Sequence, residues 1–261
     1  MNAAVPHSAP AMLEARDVSL AFGGVRAIAK LSFDIYPGEV LAIIGPNGAG
    51  KTSVLNVVTR VFEPSSGSIR FEGRELTQSR RHEVAALGIA RTFQNIELFE
   101  AATVMDNLLL GRHRFGHGNW WQQLLRTPGV TALEEASRAA VEDVIEFLDL
   151  SPWCNSLVAG LPYGIRKVVE LGRALATSPK LLFLDEPASG LNPEETRKLA
   201  FWIDDIRTDL GITVVMVEHD MSLVSAVADR VICMAQGELL AMGSASEVQN
   251  NSLVVSAYLG A

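Results

Sequence analysis

Residues 45 to 52 read Gly45-Pro46-Asn47-Gly48-Ala49-Gly50-Lys51-Thr52 and satisfy the pattern G-x-x-x-x-G-K-[ST]. Glycines let the backbone turn its N–H groups toward phosphate oxygens, and a helix opening at the end of the loop adds positive potential there. Lys51 places a point charge on the β and γ oxygens, and Thr52 is positioned to ligate Mg2+. The pattern predicts binding of a nucleoside triphosphate; the competing reading is a glycine-rich turn with an incidental lysine. A second signal is the apolar run Leu181 to Leu184 ending in Asp185-Glu186-Pro187. Two carboxylates at the end of a buried strand need a cation or a proton. Asp185 suits Mg2+ held through water, and Glu186 suits the general base that polarises an attacking water. Read alone, Asp185 is equally a cap for a following helix. Two more polar residues stand at strand ends, Gln94 after Ile89 to Phe93 and His219 after Ile212 to Val217. Both are placed to reach a γ-phosphate or its water, although either taken singly reads as a satisfied edge residue.

These groups need a sheet to carry them. The continuous apolar run Val40 to Ile44 predicts a strand buried on both faces, hence a parallel sheet. A helix is expected from about Lys51 to Arg60, and further strands at Ser68 to Phe71, Ile89 to Phe93, Leu181 to Leu184 and Ile212 to Val217. Before the glycine-rich loop, Leu13 to Leu20 reads as a strand with a break in its alternation. Leu31, Phe33 and Ile35 alternate cleanly up to the turn pair Pro37-Gly38. From about residue 95 the chain turns helical, with capping-box starts at Thr103/Asp106 and Thr131/Glu134. Asn192, followed by Pro193 and Glu195, opens a helix after the second acidic strand. Trp120 and Trp121 fall in a stretch that reads as a packed loop. Two short helical segments follow Gly243.

The 261 residues, 48% apolar, supply a sizeable core. A formal charge of −8 speaks against nucleic acid as a partner, because phosphates demand a basic surface. The first ten residues lack the charged start and apolar stretch of a secretory signal, and no apolar run is long enough to cross a bilayer. Cys154 and Cys233 are far apart and lack zinc spacing, so both read as buried or idle thiols.

Taken in order, GPNGAGKT, Gln94, the stretch around Leu161 to Ile165, LLFLDEP and His219 resemble the nucleotide-binding subunit of an ABC transporter over essentially the whole chain. The resemblance implies an α/β fold: a P-loop NTPase core, RecA-like with a mainly parallel sheet, an N-terminal antiparallel β subdomain and an inserted α-helical subdomain. Residues 1–11 are then a flexible N-terminus and 12–261 a single ATPase domain. Within it, 12–94 and 180–243 form the β subdomain and P-loop core, 95–179 the helical subdomain and 244–261 the C-terminal helices. ATP and Mg2+ are the implied cofactors, with Thr52, Gln94 and Asp185 around the metal and Glu186, His219 and Gln94 in hydrolysis. Phe22 corresponds to the aromatic that stacks on adenine, although from its position alone it is equally a core residue. Leu161, Pro162, Tyr163 and Gly164 occupy the signature that meets the γ-phosphate held by an opposite subunit.

Two departures from that pattern bear on assembly. The signature usually reads LSGGQ, and here only Leu161 and Gly164 match; Asn192 stands where an aspartate is usual. Proline lacks a hydroxyl and an N–H but is favoured in the first turn of a helix, whose amides beyond it remain available to phosphate. The departures lead us to expect a second, more typical ATPase as partner, a homodimer being the alternative. The runs Arg91 to Phe99, Gly190 to Thr196 and Ala257 to Gly260 resemble the ATPases of branched-chain amino-acid importers. That implies transmembrane permease subunits, an indirect link to a periplasmic binding protein, and a peripheral place on the cytoplasmic face of the inner membrane. The alternatives are an ATP-gated ABC protein outside transport and a regulatory ATP-binding subunit with weak hydrolysis.

Overall fold

The computed structural model describes residues 9–113 and 128–259; Trp120, Trp121 and residues 1–8 lie outside them. The elements in chain order are β1 Leu13–Phe22, β2 Val25–Ile35, β3 Val40–Ile44, α1 Lys51–Val58, β4 Ser66–Phe71, β5 Arg74–Glu75, α2 Arg81–Ala86 and β6 Ile89–Arg91. Then come α3 Val104–Gly111, α4 Pro128–Phe147, α5 Tyr163–Leu175, β7 Leu181–Asp185, α6 Pro193–Thr208, β8 Thr213–Val217 and α7 Met221–Val227. The chain closes with β9 Arg230–Ala235, β10 Glu238–Gly243, α8 Ala245–Gln249 and α9 Ser252–Leu259.

Two compact units divide the chain. The first comprises residues 1–91, 180–189 and 193–261 and holds both sheets. One sheet is antiparallel, in the order β2-β1-β4-β5; the other runs β10-β9-β3-β8-β7-β6 and is parallel except for the β9–β10 pair. The broken alternation of β1 is a register shift between Ala15 and Val18, with Asp17 in a left-handed conformation. The central strands β3, β7 and β8 are buried at every position, as expected where helices cover both faces of a parallel sheet. Val54, Leu55, Val57 and Val58 of α1 join Ile28, Leu31 and Phe33 of the antiparallel sheet and Leu41, Phe183 and Val215 of the parallel sheet in one apolar core. α1 ends at Val58, short of the expected Arg60, where Arg60 turns left-handed. Strand signals at 89–93 also extend too far: pairing with β7 ends at Arg91.

The second unit comprises residues 92–179 and 190–192 and is helical. Thr103 caps α3 in a reciprocal box with Asp106, as its spacing predicts. Fully buried Asn107 pins the loop before that helix through the backbone N–H and C=O of Phe99 and the C=O of Thr103. Thr131, expected to cap a helix, instead lies inside α4, already under way at Pro128. The capping pattern at Thr131 therefore goes unused.

Candidate functional site

The glycine-rich loop leaves β3 at Gly45 and re-enters regular structure at Lys51, with Gly50 as a left-handed cap of α1 at φ +97°. Gly45 is required by its neighbours: a Cβ there would sit 2.1 Å from the Met234 carbonyl oxygen of β9, at a φ of +149°. Gly45→Ala should therefore destabilise the fold by about 2 kcal/mol, since a backbone rather than a flexible side chain must move. Urea unfolding checks this, and an unchanged midpoint would refute the close approach.

Lys51 is 6% exposed. Its Nζ donates to the Gly45 carbonyl at 2.8 Å and the Pro46 carbonyl at 3.1 Å. Burial lowers its pKa; the charges of Glu186 and Asp185 oppose that shift without cancelling it. Cys233 on β9 is close enough to feel the same ammonium, yet burial pushes its thiol up to about 11, which leaves it an inert thiol.

The two acids ending β7 have different surroundings. Asp185 is 1% exposed, and its Oδ2 accepts from Arg91 Nη2 at 2.6 Å. Arg91 also donates to Asn56 Oδ1 at 2.6 Å and to Thr59 Oγ1 at 3.4 Å. Arg91 thus ties the acidic strand to α1, a role its residue type did not announce. Such a buried pair adds little net stability but fixes geometry well. Glu186 sits at φ +49°, a left-handed conformation unusual for a glutamate and of the kind that concentrates at functional sites. Its Oε1 lies 2.9 Å from His219 Nε2.

A cavity of about 300 Å³ is lined by Asn47 to Ser53, by Val25 to Ala27, and by Glu186 and His219. Lys51, Thr52, Glu186 and His219, picked from distant parts of the sequence, thus face one space. Asp185 is not among the lining residues, and neither are Gly45 and Pro46. Phe22, which reads as either an adenine-stacking aromatic or a core residue, is 46% exposed. It pairs in register with the cavity residue Val25, and its ring meets Phe62 edge-to-face with centroids 5.0 Å apart.

The remaining expected site residues belong to the helical unit. Gln94 lies on a segment gripped by one face of α5: Lys167 Nζ reaches the Gln94 carbonyl at 3.4 Å, Glu170 Oε1 accepts from Phe93 N at 3.2 Å, and Arg173 Nη1 donates to the Glu97 carbonyl at 2.5 Å. Burial raises the Glu170 pKa. Spacing of three residues puts these side chains on one face, a signal present in the sequence once the segment's position is known. Leu161 is buried, and Pro162 is not in the first turn of α5 but caps it in an extended conformation, so the helix opens at Tyr163. The amides of Tyr163, Gly164 and Ile165 are then among the first N–H groups of the helix, which have no intrahelical acceptor. The Tyr163 ring packs on Gly190, where a Cβ would come within 2.7 Å of it. The tyrosine in place of a signature glycine is thus matched by a glycine across from it.

A buried parallel sheet that feeds a phosphate loop from β3 and a paired histidine and acid from the next two strands, β8 and β7, defines a P-loop nucleotide-hydrolysing cassette. The profile of the ABC transporter family matches residues 28–189. Along its length the chain is 36% identical to the high-affinity branched-chain amino acid transport ATP-binding protein BraF of Pseudomonas aeruginosa, covering 95% of this chain and 98% of that one. It is 35% identical to LivG of Escherichia coli K12 at the same coverage, and 31% identical to a probable LivG of Archaeoglobus fulgidus, covering 96% of each. Among solved structures, the ADP conformation of an ATP-binding cassette of an ABC transporter superposes with a TM-score of 0.85 at 30% identity, covering 97% of this chain and all of that one. A nucleotide-free cassette gives 0.84 at the same identity and coverage. The chain belongs to the ABC transporter family and is its ATP-binding, ATP-hydrolysing subunit.

Proposed function

We propose that this chain powers uptake of branched-chain or related hydrophobic amino acids through a membrane permease by hydrolysing ATP at the cavity of Lys51 and Glu186. The observation that carries the chemistry is the shared cavity: Lys51 on one wall, and the Glu186–His219 pair at 2.9 Å on another. Lys51 neutralises the β and γ oxygens, and the N–H groups of 47–52 cradle them. Glu186 orients the attacking water and accepts its proton, while His219 holds Glu186 in place and meets the γ-phosphate. Phe22, backed by Phe62, stacks on adenine at the mouth of the cavity. The Thr52 hydroxyl on the cavity wall is a hard oxygen donor of the kind Mg2+ takes, and the Asp185 carboxylate at the end of β7 and the Gln94 carboxamide offer the same donor chemistry. When bound, that ion neutralises charge on the transferring phosphoryl group.

Residues 12–261 act as one ABC ATPase domain in this reading. Leu161 to Gly164 present their helix N-terminus to ATP held by an opposite ATPase, which the departures at Pro162 and Asn192 favour as a paralogue over a second copy. The segment Gln94 to Phe99, held by α5, transmits the cycle to a permease helix at the cytoplasmic face of the membrane. Substrate choice is supported by the names of the relatives and resides in the permease and its binding protein. Reconstituting the chain with those permeases in proteoliposomes tests the reading: ATP-driven uptake of labelled leucine and its binding protein's stimulation of hydrolysis are expected. Uptake without ATP, or hydrolysis indifferent to the loaded binding protein, would overturn it.

A further inference from the structure

Glu218, between β8 and His219, is 3% exposed, and its partners among the described residues are three backbone amides. Its Oε1 accepts from Ala188 N at 2.7 Å, and its Oε2 from His219 N at 2.8 Å and Asp220 N at 3.2 Å. Burying a carboxyl group is costly unless its oxygens are satisfied, and amide N–H donors satisfy them here. The three amides come from two segments that meet nowhere in sequence: the turn after β7 and the start of α7. One oxygen serves each segment, so the carboxylate is a bridge between them.

Those segments carry the two halves of the Glu186–His219 contact. Glu186 keeps its unfavourable left-handed backbone through a short set of bonds: Glu186 N to the Val217 carbonyl at 2.9 Å, Ser189 N to the Glu186 carbonyl at 3.1 Å, and Ala188 N to Glu218. On the other side, His219 is flanked by the grip of Glu218 and by Asp220, whose carboxylate caps α7 through Ser222 N and Leu223 N. The Glu186 N–Val217 carbonyl bond ties the segments where the strands end, and the Glu218 bridge ties them beyond it, so without it the spacing of the acid and the imidazole would loosen.

We infer that Glu218 is a positioning residue that sets the Glu186–His219 pair by bridging the two backbone segments that bear it. The inference rests on the reading of that pair as hydrolytic. Glu218→Gln tests it, because a glutamine keeps the shape but offers one oxygen and turns an NH2 toward amide donors, so one segment loses its acceptor. The expected result is kcat lower by about tenfold, since small displacements of reacting groups cost rate steeply. The Michaelis constant for ATP stays within twofold, because the phosphate loop and Phe22 are untouched. The His219 imidazole Hε1 resonance, assigned by its loss in His219→Asn, moves while those of His82 and His113 stay. Glu218→Asp, which keeps the charge and retracts the oxygens by about one bond length, gives a smaller change in the same direction and serves if the glutamine variant does not fold. A wild-type kcat in the folded variants, or an unmoved His219 resonance beside a lowered melting temperature, would reduce Glu218 to a structural residue and overturn the inference. The resonance reports on Glu218 even if Glu186 proves dispensable, and Glu186→Gln alone decides that separate question.

Discussion

Glu186→Gln is expected to bind ATP with affinity close to that of the wild type and to hydrolyse it about a thousandfold more slowly, within the range that a general base contributes. The amide is nearly isosteric with the carboxylate, and its oxygen can still meet His219 Nε2, which Glu186 Oε1 now meets at 2.9 Å. What it loses is basicity. Lys51 keeps both of its carbonyl partners in the variant, so the phosphate cradle is intact. With binding preserved and hydrolysis stopped, ATP should hold two ATPase subunits together, and size-exclusion chromatography with ATP present should show the paired species accumulating. Turnover at the wild-type rate would remove Glu186 from the base role and return the assignment to another cavity group. The strained backbone at Glu186 sharpens the prediction, because a residue held at φ +49° by its surroundings does not relax into a new position when its charge is removed.

Legibility in the sequence followed distance along the chain. The phosphate loop was readable because strand, loop, lysine and helix are contiguous, and the constraint on Gly45 is the steric form of the same pattern. The acids of β7 were readable as the polar end of an apolar strand. Arg91 was not, since its partner Asp185 is 94 residues away and an arginine ending a strand has many possible uses. Glu218 was likewise hidden: beside His219 it reads as one more polar strand end, and only the fold brings Ala188 to it. The β9–β10 hairpin was missed although Val231 to Met234 is a buried apolar run and Gln236-Gly237 a suitable turn, because its alternation is weak where β9 is buried along most of its length. Capping patterns misled in the opposite sense. Those at Thr103 and Thr131 look alike, and only the first is used, because a local pattern permits a helix start without requiring one.

Lys51 offers the second large effect, in which binding and folding respond differently. Burial lowers its pKa despite the nearby carboxylates, so in the free protein the charged ammonium costs the fold more than Glu186 and Asp185 return. The sign follows from linkage: a lysine whose folded pKa lies below its ordinary 10.5 binds fewer protons in the folded state between the two values, so its penalty is in full force below the folded pKa and lifts as pH rises through that window. Lys51→Met removes the charge and keeps most of the volume. The Pro46 carbonyl retains the Ala49 amide as a donor. The melting temperature of Lys51→Met at neutral pH should accordingly stay within a few degrees of the wild type or rise. ATP, by contrast, loses a charge-assisted contact worth about 3 kcal/mol to its β and γ oxygens, so its dissociation constant should rise about a hundredfold. Lys51→Ala should lose the same affinity and, in addition, melt lower because it leaves a void. Fluorescent-nucleotide titration beside thermal melts reads both quantities. If Lys51→Met retained full affinity, the ammonium would not be the phosphate ligand; if it melted as low as Lys51→Ala, the lysine would be holding the loop rather than waiting for the nucleotide.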